Sequence, residues 1–297
     1  MTQNADASPP PAFLTTREVA DLLRVKERKV YDLAAAGEIP HRRVPGTGKL
    51  LFPNDEILSW VNGDTADAAP ADRPMVLTGS HDPLLDWALR ESGTALATRL
   101  NGSFAGLDLF ARAEAAATGM HIPDTGGWNR DTVAERAPEN AVLIGWAARE
   151  RGLIIAPQHA DNVSKISDLK GRRVVLRQPG AGAAALFDTL LAEAGMDLSD
   201  LDPAAELART ESDAAAAIAE GRADAALGIA AMAHQFRLPF VPLMRENFDL
   251  LIDRAAYFSD AIQQLVRFTQ TPAFAAKAEA MTGYDISVCG KVRWNAP

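Results

Sequence analysis

Residues 177–191, "RQPGAGAAALFDTLL", connect an apolar run to a helix-like segment through a glycine turn. The run at 174–176, Val-Val-Leu, predicts a buried strand, and the alanine- and leucine-rich residues after Gly182 predict a helix. Gly180, Gly182 and Ala185 therefore fit the G-x-G-x-x-A pattern of loops that hold a dinucleotide pyrophosphate. A helix start reached through glycine also suits other anions, because its first amide groups have no helical partner.

A dinucleotide site also needs a second strand about 20 residues further on, ending in an acid that binds the ribose. The stretch after this helix, "AGMDLSDLDPAAELARTES", holds acids but no β-branched run that would place one at a strand end. The sequence therefore favours a smaller anion at residues 180–183 over NAD. Arg177 adds a positive charge at the entrance of this loop, and Gln178 stands beside it.

Two further strand-to-helix junctions carry polar residues. In "LTGSHDPLLDWAL" Ser80 and His81 precede a helix, and in "RLNGSFAGLDLF" a helix follows Asn101, Gly102 and Ser103. Such starts offer amide donors together with polar side chains, which suits an oxygen-rich ligand. Plain N-capping explains each start alone, so the hypothesis is that the three converge on one cleft.

The order of segments predicts a multidomain chain. Strands and helices alternate from residue 74 to the C-terminus, which predicts an α/β domain with a mostly parallel sheet. Residues 63–73 are small, acidic and proline-containing, as expected of a linker. Residues 13–62 form a separate helical unit, and residues 1–12, rich in proline and alanine, are expected to be a disordered tail.

The N-terminal unit has the order helix, short turn, helix, basic hairpin. Thr15 or Thr16 caps the first helix, and a second helix over residues 26–36 ends at Gly37. Two short strands are predicted around a Pro-Gly-Thr-Gly turn, and Pro53 is predicted to begin a third helix.

Charge separates this unit from the remaining chain. Residues 1–62 carry eight basic and eight acidic residues, so residues 63–297 hold the whole net charge of −9. Within the neutral head, residues 26–49 carry six basic residues against three acidic ones. A confined basic patch on an acidic chain indicates a local contact with a polyanion.

The N-terminal pattern resembles the excisionase/MerR-like family of winged helix-turn-helix domains. The resemblance implies that the second helix enters the DNA major groove and that the hairpin touches the flanking backbone. The side chains expected to contact a double-stranded DNA operator are Arg17, Lys26, Arg28, Lys29, Tyr31, Arg42, Arg43 and Lys49. The alternative is a helical module that docks a protein through a solvated basic face.

The rest of the chain resembles the PBP-like domains that are fused to such heads in bacterial regulators. Those domains are similar to type II periplasmic binding proteins, including the molybdate and tungstate binders. The segments that carry the likeness are "GSHDPLLDWAL", "NGSFAGLDLFARAEAAATGMHIPDTGG", "RGLIIAPQHADNVSKISDLKGRRVVLRQPGAG" and "AIAEGRADAALGIAA". The likeness implies a two-lobed α/β domain at 74–297, with one lobe at about 74–155 plus 246–297 and the other at about 156–245.

The helix starts and the resemblance together predict the ligand-binding residues of an interlobe cleft. They are Ser80, His81, Asn101, Gly102, Ser103, His121, Arg177, Gln178, Gly180 and Gly182. Related sequences have G-S-G-T in the glycine loop, whereas this chain has Gly-Ala-Gly-Ala at 180–183, so two hydroxyl groups are missing. Molybdate or tungstate therefore stays open beside another small anionic metabolite.

The sequence carries no signature of an enzyme or a metal site. Cys289 is the single cysteine, which excludes an internal disulfide framework and a multi-cysteine metal site. The consecutive residues Ser80, His81 and Asp82 cannot line up as a triad, and the other histidines lack phosphohydrolase spacing. We therefore expect no catalytic residues, no metal and no cofactor.

These observations favour a ligand-responsive DNA-binding transcription regulator that acts as a homodimer or a higher homo-oligomer, in which the ligand shifts lobe closure and dimer geometry. We expect it to be cytoplasmic, because no signal sequence is visible and no apolar run reaches the roughly 18 residues of a membrane span. The alternative is a cytoplasmic small-molecule-binding or enzymatic α/β protein whose basic head docks a protein partner.

Overall fold

The computed structural model describes residues 11–44, 46–61, 73–137 and 140–296. The chain divides into two units, Met1–Ala71 and Asp72–Pro297. Most of the expected tail and of the expected linker lies outside the described residues. Arg73, which the sequence placed in the linker, packs onto the C-terminal unit: its Nε lies 3.1 Å from Asp253 Oδ2 and its guanidinium 4.5 Å from the ring centre of Phe110.

The N-terminal unit combines helices with a small antiparallel sheet in which β3 is central. Its elements are β1 (Phe13–Thr15), α1 (Thr16–Leu23), α2 (Glu27–Ala36), β2 (Arg42–Arg43), β3 (Leu50–Pro53) and α3 (Asn54–Val61). The side chains buried between them are Val19, Ala20, Val30, Ala34, Ile39, Phe52 and Ile57. This apolar core fixes which faces of α1 and α2 point outward.

Short-range hydrogen bonds set the helix ends of this unit. Thr15 Oγ1 accepts the Glu18 amide at 3.3 Å, and Glu18 Oε2 accepts the Thr15 amide at 2.7 Å, which completes a capping box at α1. Arg24, with φ of 54°, ends α1, and Gly37, with φ of 73°, ends α2. Of the two predicted caps of α1, Thr15 is therefore the one used, and the prediction that α2 ends at Gly37 is confirmed.

The third helix begins later than the sequence suggested. Pro53 is the last residue of β3 and pairs with Phe13, so α3 begins at Asn54. The prediction that Pro53 begins the helix was wrong, because β1, which the sequence pattern did not reveal, supplies a strand partner.

The C-terminal unit alternates strands and helices around one large sheet. Its first part contains β4 (Val76–Gly79), α4 (Pro83–Ser92), β5 (Ala97–Arg99), α5 (Ser103–Ala111), β6 (Ala117–Met120), β7 (Pro123–Asp124), β8 (Gly127–Trp128), α6 (Arg130–Arg136) and β9 (Ala141–Ile155). Its second part contains β10 (Arg173–Val175), α7 (Gly182–Glu193), β11 (Asp202–Pro203), α8 (Glu211–Ala219), β12 (Ala225–Ile229), α9 (Ala230–Gln235) and β13 (Phe240–Asp253). Its last part contains α10 (Arg254–Tyr257), α11 (Asp260–Phe268), α12 (Pro272–Ala280), β14 (Tyr284–Asp285) and β15 (Val292–Asn295).

Two long strands join the lobes of this unit. The sheet order is β11-β10-β12-β9-β13-β6-β4-β5, and β9 pairs with β13 in antiparallel register along nearly their whole lengths. We call the part around β4, β5 and β6 lobe 1 and the part around β10, β11 and β12 lobe 2. Each lobe contains parallel pairs, but the pairs that involve β9 or β13 are antiparallel. The expectation of a mostly parallel sheet was wrong at the centre, because β9 and β13 cross between the lobes in opposite directions.

Apolar side chains cover both faces of the sheet in each lobe. In lobe 1, Leu85 and Phe248 belong to one buried cluster, and Phe110 and Leu251 belong to another. In lobe 2, separate clusters contain Ile218 and Phe187.

The register pairs Arg151 with Ile229 of β12, so β9 already belongs to the sheet of lobe 2 at residue 151. The lobe limits given above stay a prediction.

Candidate functional site

The basic residues of the N-terminal unit lie on its surface. Lys26 is the N-cap of α2, and Arg28, Lys29 and Tyr31 lie on the first two turns, all exposed, while Val30 of the same helix is buried. Spacing along the helix therefore separates a core face from a polar face. The first turns of a recognition helix are the part that reaches base edges in helix-turn-helix proteins.

The predicted wing carries the remaining basic residues. Arg42 and Arg43 form β2 and Lys49 precedes β3, and all three side chains are exposed, as is Arg17 on α1. Arg42 lies 2.7 Å from Glu56 in an ion pair whose arginine is 60% exposed. An ion pair this exposed contributes little stability, so Arg42 can exchange Glu56 for a phosphate at small cost.

In the C-terminal unit the three polar helix starts meet between the lobes. Ser80, before α4, lies with its Oγ 2.7 Å from Oγ of Ser103, the first residue of α5. The amide of Phe104 donates to the carbonyl of Gly180 at 3.1 Å, which joins α5 to the glycine loop before α7. Ser103 Oγ also accepts the His121 amide at 3.2 Å. Residues more than 70 positions apart in the sequence thus share one buried contact.

Glycine is required on both sides of this contact. A Cβ added at Gly102, whose φ is +111°, would lie 2.6 Å from the Gly180 carbonyl oxygen. A Cβ added at Gly182 would lie 2.4 Å from the His121 carbonyl oxygen and 2.9 Å from Ser103 Oγ. These distances are shorter than van der Waals contact, so the two glycines allow the lobes to touch here.

The carboxylate of Asp82 already occupies the N-terminus of α4. Asp82 Oδ1 accepts the Leu85 amide at 2.7 Å and the Trp146 indole at 3.1 Å. Its Oδ2 accepts Arg149 at 2.8 Å and the Tyr284 hydroxyl at 2.6 Å. The start of α4 therefore contributes the Ser80 side chain to the contact with Ser103, while its Leu85 amide is occupied.

A chain of buried charges crosses from lobe 1 to lobe 2, and the sequence interpretation missed it. In spatial order it consists of Asp82, Arg149, Glu246, Arg151, Glu211 and Arg177. Arg149 and Arg151 lie on β9 and Glu246 on β13, and all three are fully buried. The arginine–carboxylate distances are between 2.5 and 3.0 Å. Three positive and three negative side chains alternate, so the chain is neutral overall.

These ion pairs set the protonation states around the cleft. Burial raises the pKa of Glu246, but Arg149 and Arg151 outweigh burial and hold that pKa well below its usual value. Burial likewise opposes ionisation of Glu211, and Arg151 with Arg177 hold its pKa below its usual value. Both carboxylates are therefore ionised at neutral pH.

The two histidines predicted to lie in the cleft, His81 and His121, are neutral at pH 7. Burial lowers the pKa of His121 more than Glu246 raises it, and burial likewise lowers the pKa of His81 against the opposing charges of Asp82 and Glu211. His121 Nδ1 lies 3.1 Å from Glu246 Oε2, so the imidazole donates its proton from Nδ1 to this carboxylate.

The predicted ligand residues fall into two groups. The guanidinium of Arg177 donates to Glu211 at 2.7 Å and to the carbonyl oxygens of Ala208 and Arg209 at 3.1 Å, so it is already occupied by protein groups. His81 Nδ1 and Gln178 Oε1 are buried without a hydrogen-bond partner. A cavity of about 700 Å³ at the mouth of the cleft is lined by Asn101, Gln178 and Arg209 among others.

Among the residues that the structure describes, no three His, Cys, Asp or Glu side chains are placed so that they could hold a metal ion together. None of their helices is long and apolar enough to cross a membrane.

Comparison with known families decides the fold family of the larger unit. A family model described as a PBP superfamily domain matches residues 87–270. The chain belongs to the PBP superfamily. A second model, described as a helix-turn-helix domain, matches residues 13–65, so this PBP superfamily member carries a helix-turn-helix domain at its N-terminus. The two domains are of DNA-binding and substrate-binding types, which indicates a ligand-binding, DNA-binding regulator.

Individual relatives of this PBP superfamily member are distant. It is 25% identical over 303 residues to Uncharacterized protein YvgK of Bacillus subtilis (strain 168), with 94% of this chain and 96% of that protein covered. A Clostridium perfringens putative phosphate ABC transporter substrate-binding protein with bound phosphate has a similar fold: TM-score 0.52, 10% identity, 71% of this chain and 99% of that chain covered. A peroxide-bound mutant of OxyR from Corynebacterium glutamicum matches with TM-score 0.48, 13% identity, and coverage of 89% and 91%.

Proposed function

We propose that this protein is a transcription regulator that binds operator DNA through its N-terminal domain and senses a small, oxygen-rich anion in the cleft of its PBP domain. In the proposed scheme it acts as a homodimer, because two half-sites multiply the affinity of one small module. The observation that carries the proposal is the meeting of the Ser80 and Ser103 hydroxyl groups with the glycine loop of α7 between the lobes.

The chemistry of this meeting point suits an anion. Ser80 and Ser103 share one hydrogen bond, which leaves one of their two hydroxyl protons to donate to a ligand. The starts of α5 and α7 direct positive dipole ends toward the same place. Because the buried charge chain is neutral overall, it does not repel a negative ligand. The ligand gains access when the lobes separate at the Phe104–Gly180 contact, and it stabilises their closure.

A ligand screen tests the cleft. Molybdate, tungstate, phosphate and a small hydroxy acid such as citrate are added separately to the full chain in a thermal-shift assay. The proposal predicts that at least one of them raises the melting temperature, by the amount that mass action gives for a ligand of the native state. If none of these anions does so at millimolar concentration, the sensing proposal is contradicted.

A matched pair of variants locates the binding. Ser103→Ala removes a hydroxyl at the meeting point and is expected to weaken binding of the active anion by about tenfold or more, the cost of roughly one charge-assisted hydrogen bond. Ser92→Ala removes a hydroxyl from the opposite end of α4, about 15 Å from its start, and is expected to leave binding unchanged. Equal effects of the two substitutions would contradict the proposed site.

Salt titration tests the DNA-binding surface. Binding to the DNA upstream of the protein's own gene is measured at several salt concentrations. Replacing Arg28 and Arg43 together by alanine is expected to lower the slope of log affinity against log salt by about two, if both contact phosphates. The exposed pair Arg90 and Arg112, on the PBP domain, provides a control with the same loss of charge. An unchanged slope in the Arg28 and Arg43 variant would favour protein docking by the basic head.

A further inference from the structure

A second cavity lies on lobe 1 beside β13, apart from the cleft between the lobes. Its volume is about 550 Å³, and its walls include Trp128, Arg130, Asp249, Arg293 and Trp294. None of these residues belongs to the polar helix starts or to the buried charge chain. The volume falls in the range of small-molecule sites.

Two polar atoms in this cavity have no hydrogen-bond partner. Asp249 is 1% exposed; its Oδ2 accepts the Asn129 side-chain amide at 2.8 Å, but its Oδ1 is unpaired. Arg293 Nε is also unpaired, since its distance of 3.6 Å from Asp249 Oδ1 is too long for a hydrogen bond. Asp249 and Arg293 both line the cavity, and each thus keeps one buried atom, an acceptor and a donor, without a hydrogen bond.

A buried carboxylate with one oxygen that accepts no hydrogen bond is costly to ionise, and the pKa of Asp249 reflects that cost. Burial raises the pKa of Asp249 to about 6, against the opposing effects of Asn129 and Arg293. A ligand that donates a hydrogen bond to Oδ1 would stabilise the ionised form. The raised pKa, like the Oδ1 atom without a hydrogen bond, therefore indicates a ligand that carries a hydrogen-bond donor.

Charge and shape narrow the class of ligand. The cavity is lined by the carboxylates of Asp124, Asp131 and Asp249 and by the guanidinium groups of Arg130 and Arg293, so an ion of either sign would meet like charge there. The indoles of Trp128 and Trp294 offer apolar ring surface, which suits a flat ring because aromatic side chains stack on such rings. A neutral ring with a donor and an acceptor side by side on its edge would pair with Asp249 and Arg293 together.

We propose that this cavity binds an uncharged, nucleobase-like heterocycle, such as that of a nucleoside, whose ring N–H donates to Asp249 Oδ1 and whose neighbouring carbonyl accepts from Arg293 Nε. This site goes beyond the proposed anion sensing and does not depend on it. Failure of either proposal leaves the other intact, because the two sites share no residue.

The test uses the full chain with inosine and 1-methylinosine as probes. The tryptophans of the cavity report binding by fluorescence, and calorimetry gives the affinity. Inosine is expected to produce a saturable change, and 1-methylinosine is expected to bind at least about tenfold more weakly, because its methyl group replaces the donating N–H. Equal binding of both probes, equal binding of ribose, or no saturable response to inosine up to roughly 5 mM would overturn the proposal.

Variants then assign the contact. Asn129 donates to Oδ2, so the D249N side chain keeps its oxygen there and directs its NH2 group into the cavity, which replaces the acceptor by a donor. We expect D249N to weaken inosine binding by about tenfold or more. Asp131→Asn removes the same charge from an exposed position on the cavity wall and is expected to change binding by less than about twofold. Equal binding by wild type and D249N would overturn the assigned contact.

Discussion

At the scale of single residues, the two buried arginines of β9 each form ion pairs with two buried carboxylates, and these pairs link the lobes. Arg149 contacts Asp82 and Glu246, and Arg151 contacts Glu246 and Glu211, with no exposure to solvent. Such pairs add little net stability when they are complete, yet removing one partner leaves a buried charge uncompensated. Glu246 is the member that both arginines share.

We therefore predict that Glu246→Gln destabilises the protein. Each arginine keeps one other carboxylate, so the loss should lie near the lower end of the roughly 3–5 kcal/mol found when a buried pair is broken. The free energy of unfolding of the C-terminal unit, obtained from urea denaturation, measures this loss. Glu135→Gln, at an exposed position on α6, is the control and should change the free energy of unfolding by less than about 0.5 kcal/mol. Similar losses in both variants would contradict the role given to Glu246.

Asp249 gives a prediction with a definite pH dependence. Its folded pKa of about 6 lies above the unfolded value of 3.8, so the ionised form costs stability. This cost is absent below about pH 4, grows as the pH rises to about 6, and is constant above it. Relative to wild type, Asp249→Asn should therefore gain about 2 kcal/mol of stability between pH 4 and pH 7.5.

Denaturation curves at both pH values measure this difference. The groups near Asp249 (Asn129, Arg130, Asp124, Asp131 and Arg293) stay the same in both proteins. A stability difference between variant and wild type that does not depend on pH would show that Asp249 is not the titrating group.

At the scale of helices and strands, the glycine contact between α5 and α7 controls how closely the lobes approach. Gly182→Ala would place a methyl group against the His121 carbonyl oxygen. We predict a loss of about 1–3 kcal/mol, typical of overpacking, although alanine favours helix formation. Gly126→Ala, where no atom lies within 4 Å of the added Cβ, is the control. Thermal denaturation measures both variants, and an undiminished stability of Gly182→Ala would mean that the lobes do not close on this residue.

Sequence patterns revealed the helix starts better than the strand pairings. Glycine, serine and proline signal a helix start locally, so the junctions at Ser80, Ser103 and Gly182 could be read from short stretches. The Arg149–Glu246 pair joins residues 97 positions apart, and no local rule pairs them. One signal was present: two arginines, two residues apart on an apolar strand, point to the same face and need buried partners.

The strand β1 was missed for a similar reason. Its three residues, Phe13 to Thr15, are too few for alternation to be visible, and it becomes a strand by pairing with β3. The same pairing moved Pro53 from the third helix into the sheet. Tertiary pairing thus overrode the local preference of proline for a first helical turn.

At the scale of the whole molecule, a helix-turn-helix domain and a PBP domain share one chain. The net charge of −9 lies in residues 63–297, which comprise the linker and the second domain, while exposed basic residues gather on α2 and the hairpin of the first domain. An acidic body limits nonspecific contact with DNA, and a local basic surface directs it. This division of charge suits a regulator in which one domain binds DNA and the other binds a ligand.

The most direct test measures both activities in one experiment. Fluorescence anisotropy with a labelled duplex from the upstream region gives the operator affinity with and without the anion that stabilises the full chain. We expect that anion to change the affinity by roughly 5–150-fold in wild type, the usual range of allosteric coupling, and to need an about tenfold or more higher concentration for the same effect in Ser103→Ala. An operator affinity that stays the same with every stabilising anion would contradict the account.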